Sequence, residues 1–215
     1  MKKIIGVFLA LLPFSFCAKE KNSIVPKSIE TKNMEIEKGM EVATFAGGCF
    51  WCTEAVFLEL DGVSKVVSGY IGGNTVNPTY QEISTGETGH AEAIEITFDP
   101  NKISFGELLE IFFATHDPTT LNRQGNDIGT QYRSEIFYHS PFQKQLSEDY
   151  ITLMTTENTF GKPIVTKLSS ATKFYVAEDY HQNYYNQNKT QGYCSYVITP
   201  KIDKLKKLYK DKLKK

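Results

Sequence analysis

The chain has little of what marks a membrane protein, a nucleic-acid binder or a disulfide scaffold. Its longest apolar run, Ile4 to Leu12, falls far short of the ~20 residues that a membrane span needs. Net charge is −1, so no general basic field favours nucleic acid. There are only four cysteines. If Cys17 belongs to a leader, the other three (Cys49, Cys52, Cys194) are an odd set, which argues against a purely structural disulfide frame. The four histidines (His90, His116, His139, His181) are scattered and no second close Cys pair accompanies Cys49 and Cys52. That weakens a metal-module reading, and neither metal nor cofactor is expected. Residues 41–200 hold no internal repeat and no low-complexity stretch.

What is present fits one domain. At 215 residues, 40% hydrophobic and 23% charged, the chain can bury a core of ordinary soluble composition. Lys2-Lys3 followed by Ile4 to Leu12 predicts an export leader over 1–17. Cys17 at its end suggests a lipidated cysteine and a membrane tether, although Phe16 stands where a small residue usually precedes such a site. The expected location is therefore outside the cytoplasm, periplasmic or membrane-anchored. Residues 18–40, rich in Lys, Glu, Ser and Asn, read as a flexible tether. The catalytic domain is expected over 41–200. A basic helix is expected over 201–215, where eight Lys stand against Asp203 and Asp211; Ile202, Leu205 and Leu208 at helical spacing predict one packed side and one solvated side.

The run Gly47-Gly48-Cys49-Phe50-Trp51-Cys52 places a cysteine where a strand (Glu41 to Phe45) gives way to a helix (Phe50 to Leu60). The glycines permit a sharp turn. A thiol in the first turn of a helix faces unpaired N–H groups and the positive dipole end, a setting that lowers its pKa. A buried structural cysteine is the alternative.

Further along, Val63 to Tyr70, Ala91 to Phe98 and Arg133 to Tyr138 read as strands. Ser104 to Glu107 is a capping box for a helix that ends before His116, and Ser140-Pro141 opens another. The order β-α-β-β-α-β predicts an α+β, two-layer ferredoxin-like sandwich with added helices and long loops. In Ala91 to Phe98, Glu92 shares the parity of Ile94, Ile96 and Phe98 and so points to the apolar side. Burial raises a carboxyl's pKa and makes it a proton donor near neutrality; a bend out to water at the strand's start is the alternative. Tyr80, Tyr132 and the long polar loop carrying Asp127 add hydrogen-bonding groups.

The ordered blocks Gly47 to Trp51, Asn77 to Tyr80, Thr88 to Ala93, His116 to Thr119, Asn122 to Ser134 and Ala177 to Gln182 resemble the type A peptide methionine sulfoxide reductases over roughly 43–200. The resemblance implies reduction of methionine S-sulfoxide, protein-bound or free. Cys49 would be the nucleophile and Glu92 the proton donor, with Tyr80 and Tyr132 bonding the sulfoxide oxygen. Asp127 would order water or polarise the site, and Phe50 and Trp51 would hold the S-methyl group. Cys49 then becomes a sulfenic acid, a second thiol closes a disulfide, and a thioredoxin-like reductant, exported like the enzyme, reopens it. The resemblance favours Cys194 as that second thiol, with Cys52 as alternative. The competing function is a Cys-x-x-Cys thiol–disulfide oxidoreductase using Cys49 and Cys52 directly.

Overall fold

Alternating apolar residues lay down the first strand, and the rest of the sheet assembles around it. The computed structural model describes residues 39–215. The expected leader, Cys17 and all but the last two residues of the expected tether lie outside these described residues. In chain order the elements are β1 (Glu41–Gly47), α1 (Phe50–Leu58), β2 (Val63–Ile71), α2 (Tyr80–Ser84), β3 (Ala91–Phe98) and α3 (Phe105–Thr115). A small hairpin of β4 (Arg123–Gln124) and β5 (Asp127–Ile128) follows. Then come β6 (Ser134–Tyr138), α4 (Pro141–Thr156), β7 (Lys167–Ser170), β8 (Tyr175–Val176), α5 (Tyr184–Gln187), a π-turn (Cys194–Ile198) and α6 (Thr199–Leu208).

The main sheet runs β7-β6-β1-β3-β2-β8. Its four central strands, β6-β1-β3-β2, pair antiparallel throughout. That order, with α1 and α3 as crossovers, is the expected ferredoxin-like plan within an α+β fold. β7 adds a parallel edge beside β6 and β8 an antiparallel edge beside β2. Phe45 of β1 stands opposite Ile94 and Ile136. On the same face it meets Phe57 of α1 and Phe105 and Phe112 of α3, at ring separations of 4.8–5.9 Å. The opposite face carries a smaller apolar cluster, Ala46, Ile71, Ala91, Ala93 and Phe137, covered by Ala171 and Phe174.

Local chemistry fixes the boundaries. Ser104 and Glu107 form the capping box of α3, and Thr79 and Glu82 form another on the short α2. Ser140 caps α4, with Pro141 in its first turn. α6 buries Ile202 and Leu205 and packs on α1 and α3. Beyond it Leu213 bridges to Leu60, so the C-terminal segment closes against the α1–β2 connection.

Candidate active site

Cys49 occupies the N-cap of α1, and the two glycines before it are there for space as well as for the turn. Gly48 has φ +92°, and a Cβ on it would lie 2.5 Å from Cβ of Gln124; one on Gly47 would lie 2.9 Å from the Phe112 ring. The hairpin of β4 and β5 therefore seats directly over the cysteine turn, and Asp127 comes with it.

The neighbouring strand supplies the acid. Glu92 is 2% exposed and shares its face with the fully buried Ile94, Ile96 and Phe98, as the parity of β3 predicts. Its Oε2 accepts the Phe50 N–H at 3.1 Å, an N–H that the first turn of α1 leaves without a helical partner. That bond favours the carboxylate, but burial outweighs it and lifts the group to about 8. At neutral pH Glu92 is a neutral acid. The same competition overturns the expectation for Cys49. Burial, the hydrogen bond with Cys52 and the Glu92 charge hold its thiol well above the usual value, so in the resting site the helix dipole does not win.

Tyr80 and Tyr132 share this space. Burial and then the charges of Glu92 and Cys49 push Tyr80 up to about 12. Burial, Glu92 and Tyr80 push Tyr132 higher still. Both phenols thus stay protonated as hydrogen-bond donors. Phe50 is buried and Trp51 half-buried. Trp51 lies flat on Tyr184, with ring centroids 3.7 Å apart and planes 7° from parallel.

On the other side of Cys49 a cavity of about 400 Å³ opens between α1, the hairpin and the start of α6, and both Cys49 and Cys52 line it. The Tyr193 hydroxyl donates to Oδ2 of Asp127 at 2.6 Å and lies 3.7 Å from Sγ of Cys52. Asp127 therefore fixes a phenol beside the thiol pair. Cys52 is drawn down to about 7, first by the Cys49 hydrogen bond and, against burial, by Lys201. Cys194 is also a free, fully buried thiol, but it faces the core from the π-turn and does not line the cavity. The structure thus brings Cys49, Cys52, Glu92, Tyr80, Tyr132, Asp127, Phe50 and Trp51 together and buries Cys194 in the core off the cavity lining.

Several supporting residues were not singled out from sequence. Nδ1 of His181 accepts the Trp51 indole N–H at 3.1 Å; an indole only donates, so the imidazole proton sits on Nε2. Glu178 accepts the Tyr70 hydroxyl at 2.8 Å and the Tyr80 N–H at 2.9 Å. The buried Glu54, one turn beyond Trp51, accepts the N–H groups of Asn183 and Tyr184 and so carries the ring that stacks on Trp51. One signal was available: a buried indole N–H requires an acceptor. The distant residue that supplies it cannot be read from spacing.

Paired thiols beside a neutral carboxyl form a site for thiol-based redox chemistry, in which sulfur takes up oxygen and a disulfide closes afterwards. Residues 41–213 match the family model described as peptide methionine sulfoxide reductase, and the chain belongs to that family. A peptide methionine sulfoxide reductase MsrA of Deinococcus radiodurans is 55% identical over 193 residues, covering 90% of this chain and 94% of the relative. One from Sulfolobus acidocaldarius is 57% identical over 173 residues, 80% and 97% of the two chains. Among solved structures, reduced Mxr1 of Saccharomyces cerevisiae superposes with TM-score 0.67 at 30% identity, covering 76% of this chain and 94% of that one. Methionine sulfoxide reductase A of Corynebacterium diphtheriae does so with TM-score 0.67 at 36% identity, covering 76% and 82%.

Proposed function

We propose that the protein reduces methionine S-sulfoxide to methionine by thiol chemistry at Cys49. The observation that carries this is the buried Glu92, a neutral acid tied to the first N–H of the helix that Cys49 caps. A sulfoxide sulfur is a poor electrophile until its oxygen gains a proton. Glu92 donates it, and Tyr80 and Tyr132 hydrogen-bond the oxygen. Phe50 and Trp51 enclose the methyl group, with His181 and Tyr184 fixing the indole. Cys49 sulfur bonds to the substrate sulfur as its thiol proton passes to Cys52, its hydrogen-bond partner. The oxygen then passes from the substrate sulfur to the Cys49 sulfur: the substrate S–O bond and the new S–S bond break, a Cys49 S–O bond forms, methionine leaves, and Cys49 is a sulfenic acid. A second thiol then displaces that oxygen as water.

Cys52 as that thiol is supported by the cavity that it lines together with Cys49. Cys194, a free thiol buried on the π-turn, is the other candidate. A thioredoxin-like reductant then opens the disulfide. With an export leader at 1–17 that partner is exported too, and a lipid on Cys17 would tether the enzyme at the membrane. Fractionation showing the protein in the cytoplasm with its leader intact would remove this part of the proposal.

Turnover on each sulfoxide epimer with dithiothreitol tests the reading. Wild type consumes the S form, and Cys49→Ser consumes neither. The Cys49–Cys52 contact favours one competing activity, direct thiol–disulfide exchange. Insulin reduction that survives Glu92→Gln, without sulfoxide turnover, would establish that activity instead.

A further inference from the structure

The cavity beside Cys49 has a wall that reduction of the sulfoxide does not use. Lys201 stands on it, in the first turn of α6. It lies inside a helical run that the π-turn joins to α6 without a break. Among the described residues the Lys201 ammonium forms no ion pair. Asp127, an anion on the same wall, is engaged with the Tyr193 hydroxyl. Lys201 therefore brings a positive charge, without an ion-pair partner, to a cavity that both Cys49 and Cys52 line.

We propose that Lys201 is a positioning residue for the second half of the cycle: its charge holds Cys52 as the thiolate that attacks the Cys49 sulfenic acid. This rests on the reading in which Cys52 resolves Cys49. In the step, Cys52 first releases to solvent in the cavity the proton it took from Cys49; its sulfur then bonds to Cys49 sulfur, the S–O bond of the sulfenic acid breaks, and hydroxide leaves, taking a proton from the same solvent to become water. Cys49 and Cys52 end as a disulfide, and the reductant that later opens it supplies the two electrons.

The groups facing Cys52 show why Lys201 matters at this moment. They are Cys49 from the cap of α1, Glu92 from β3, Asp127 from the hairpin, Tyr193 and Cys194 from the π-turn segment, and Lys201 from α6. In the resting enzyme the Cys49 thiol hydrogen bond is the largest influence favouring the Cys52 thiolate. Oxidation of Cys49 removes that thiol. The Tyr193 proton is committed to Asp127, and Glu92, Asp127 and Cys194 contribute no positive charge. Lys201 is then the cation left.

The test follows disulfide formation from pH 5.5 to 9 after mixing the reduced enzyme with excess methionine S-sulfoxide, normalised to methionine released in the same sample. Trapping with dimedone counts the surviving sulfenic acid. In Lys201→Met the apparent pKa of disulfide formation rises by about one unit, which slows the step about tenfold below pH 7 and causes sulfenic acid to accumulate. Lys201→Arg restores the wild-type profile. An unchanged pH profile in Lys201→Met overturns the proposal. So does a slowed step that Arg fails to restore, which would assign Lys201 a packing role. Cys52→Ser separates this from the underlying reading. If it closes an intramolecular disulfide at the wild-type rate, Cys52 is not the resolver and both readings fall. If it cannot while Lys201→Met behaves as wild type, only the role of Lys201 falls.

Discussion

At the scale of single residues, burial decides the chemistry against local electrostatics. Glu92 has a backbone N–H that stabilises its anion, and Cys49 has a helix N-terminus, yet both hold their protons because water is excluded from them. The carboxyl moves from the ordinary 4.5 to about 8, so it binds its proton more tightly in the folded chain than in the unfolded one. Its contribution to stability is full below about pH 4 and is lost as pH rises through about 8, on the order of a few kcal/mol in all. Glu92→Gln is therefore expected to melt higher than wild type at pH 8.5 and to show a flatter dependence of melting temperature on pH. Its sulfoxide turnover should fall about 10²–10⁴-fold, the usual worth of a positioned general acid. Wild-type turnover should itself decline above about pH 8 as Glu92 ionises, a limb absent from the residual activity of the variant. A variant that is both active and pH-dependent like wild type would show that the proton comes from elsewhere. This residue was legible in the sequence because strand parity is a strict rule. His181 was not, because its link to Trp51 spans 130 positions and leaves no periodic trace.

At the scale of elements, the strands and helices that carry an apolar pattern and a cap match their sequence expectation closely. β3 runs Ala91–Phe98, and α3 starts behind its Ser104 capping box. Helix α1 stops at Leu58, short of the expected Leu60, because the chain turns there to receive the C-terminal bridge at Leu60. β7 and β8 gave no signal. Lys167–Ser170 has no apolar alternation, and it becomes a strand because α4 returns the chain to the open edge of β6. Nor was the hairpin visible within the loop 119–130, since its position depends on the bare backbone at Gly48. Glycine substitutions separate these causes. Gly48→Ala must adopt φ +92° and displace Gln124. It should lose about 1–3 kcal/mol and, by shifting Asp127 and Tyr193, lose turnover as well. Gly106→Ala lies within α3, where the nearest contact is an ordinary 3.7 Å from Leu146, and it should gain about 0.5–1 kcal/mol. Urea unfolding of both variants beside wild type measures this; equal effects would mean that the hairpin does not rest on Gly48.

At the scale of the whole molecule, the basic C-terminus is part of the fold. The sequence showed one apolar stripe among many lysines; its first two residues are buried, Leu205 fully and Ile202 3% exposed, while Leu208 at the end of α6 is 49% exposed. The lysines have a use that composition could not reveal. Neither α1 nor α3 has a basic residue in its last turn, and the tail supplies both. Lys204 Nζ donates to the Ala114 carbonyl at 2.7 Å, and Lys214 Nζ donates to that of Leu58 at 2.8 Å. A cation against the closing carbonyls of a helix is worth about 0.3–1 kcal/mol when exposed. Lys206 pairs with Glu59 at 3.4 Å, and Lys212 pairs with the Glu107 carboxylate of the α3 capping box. The two helices that form the layer above the sheet are thus clamped at their ends by one segment, whose first turn also presents Lys201 to the cavity. Apolar burial should dominate over these exposed charges. Leu205→Ala is expected to cost about 2–5 kcal/mol, while Lys204→Met and Lys214→Met each cost less than about 1 kcal/mol and less again in 1 M salt. Guanidinium competes with such ion pairs, so urea unfolding at low and high salt is the proper measurement. If Leu205→Ala costs under 1 kcal/mol while the lysine variants cost more, charge rather than packing holds the tail, and the cavity wall bearing Lys201 would loosen as salt rises.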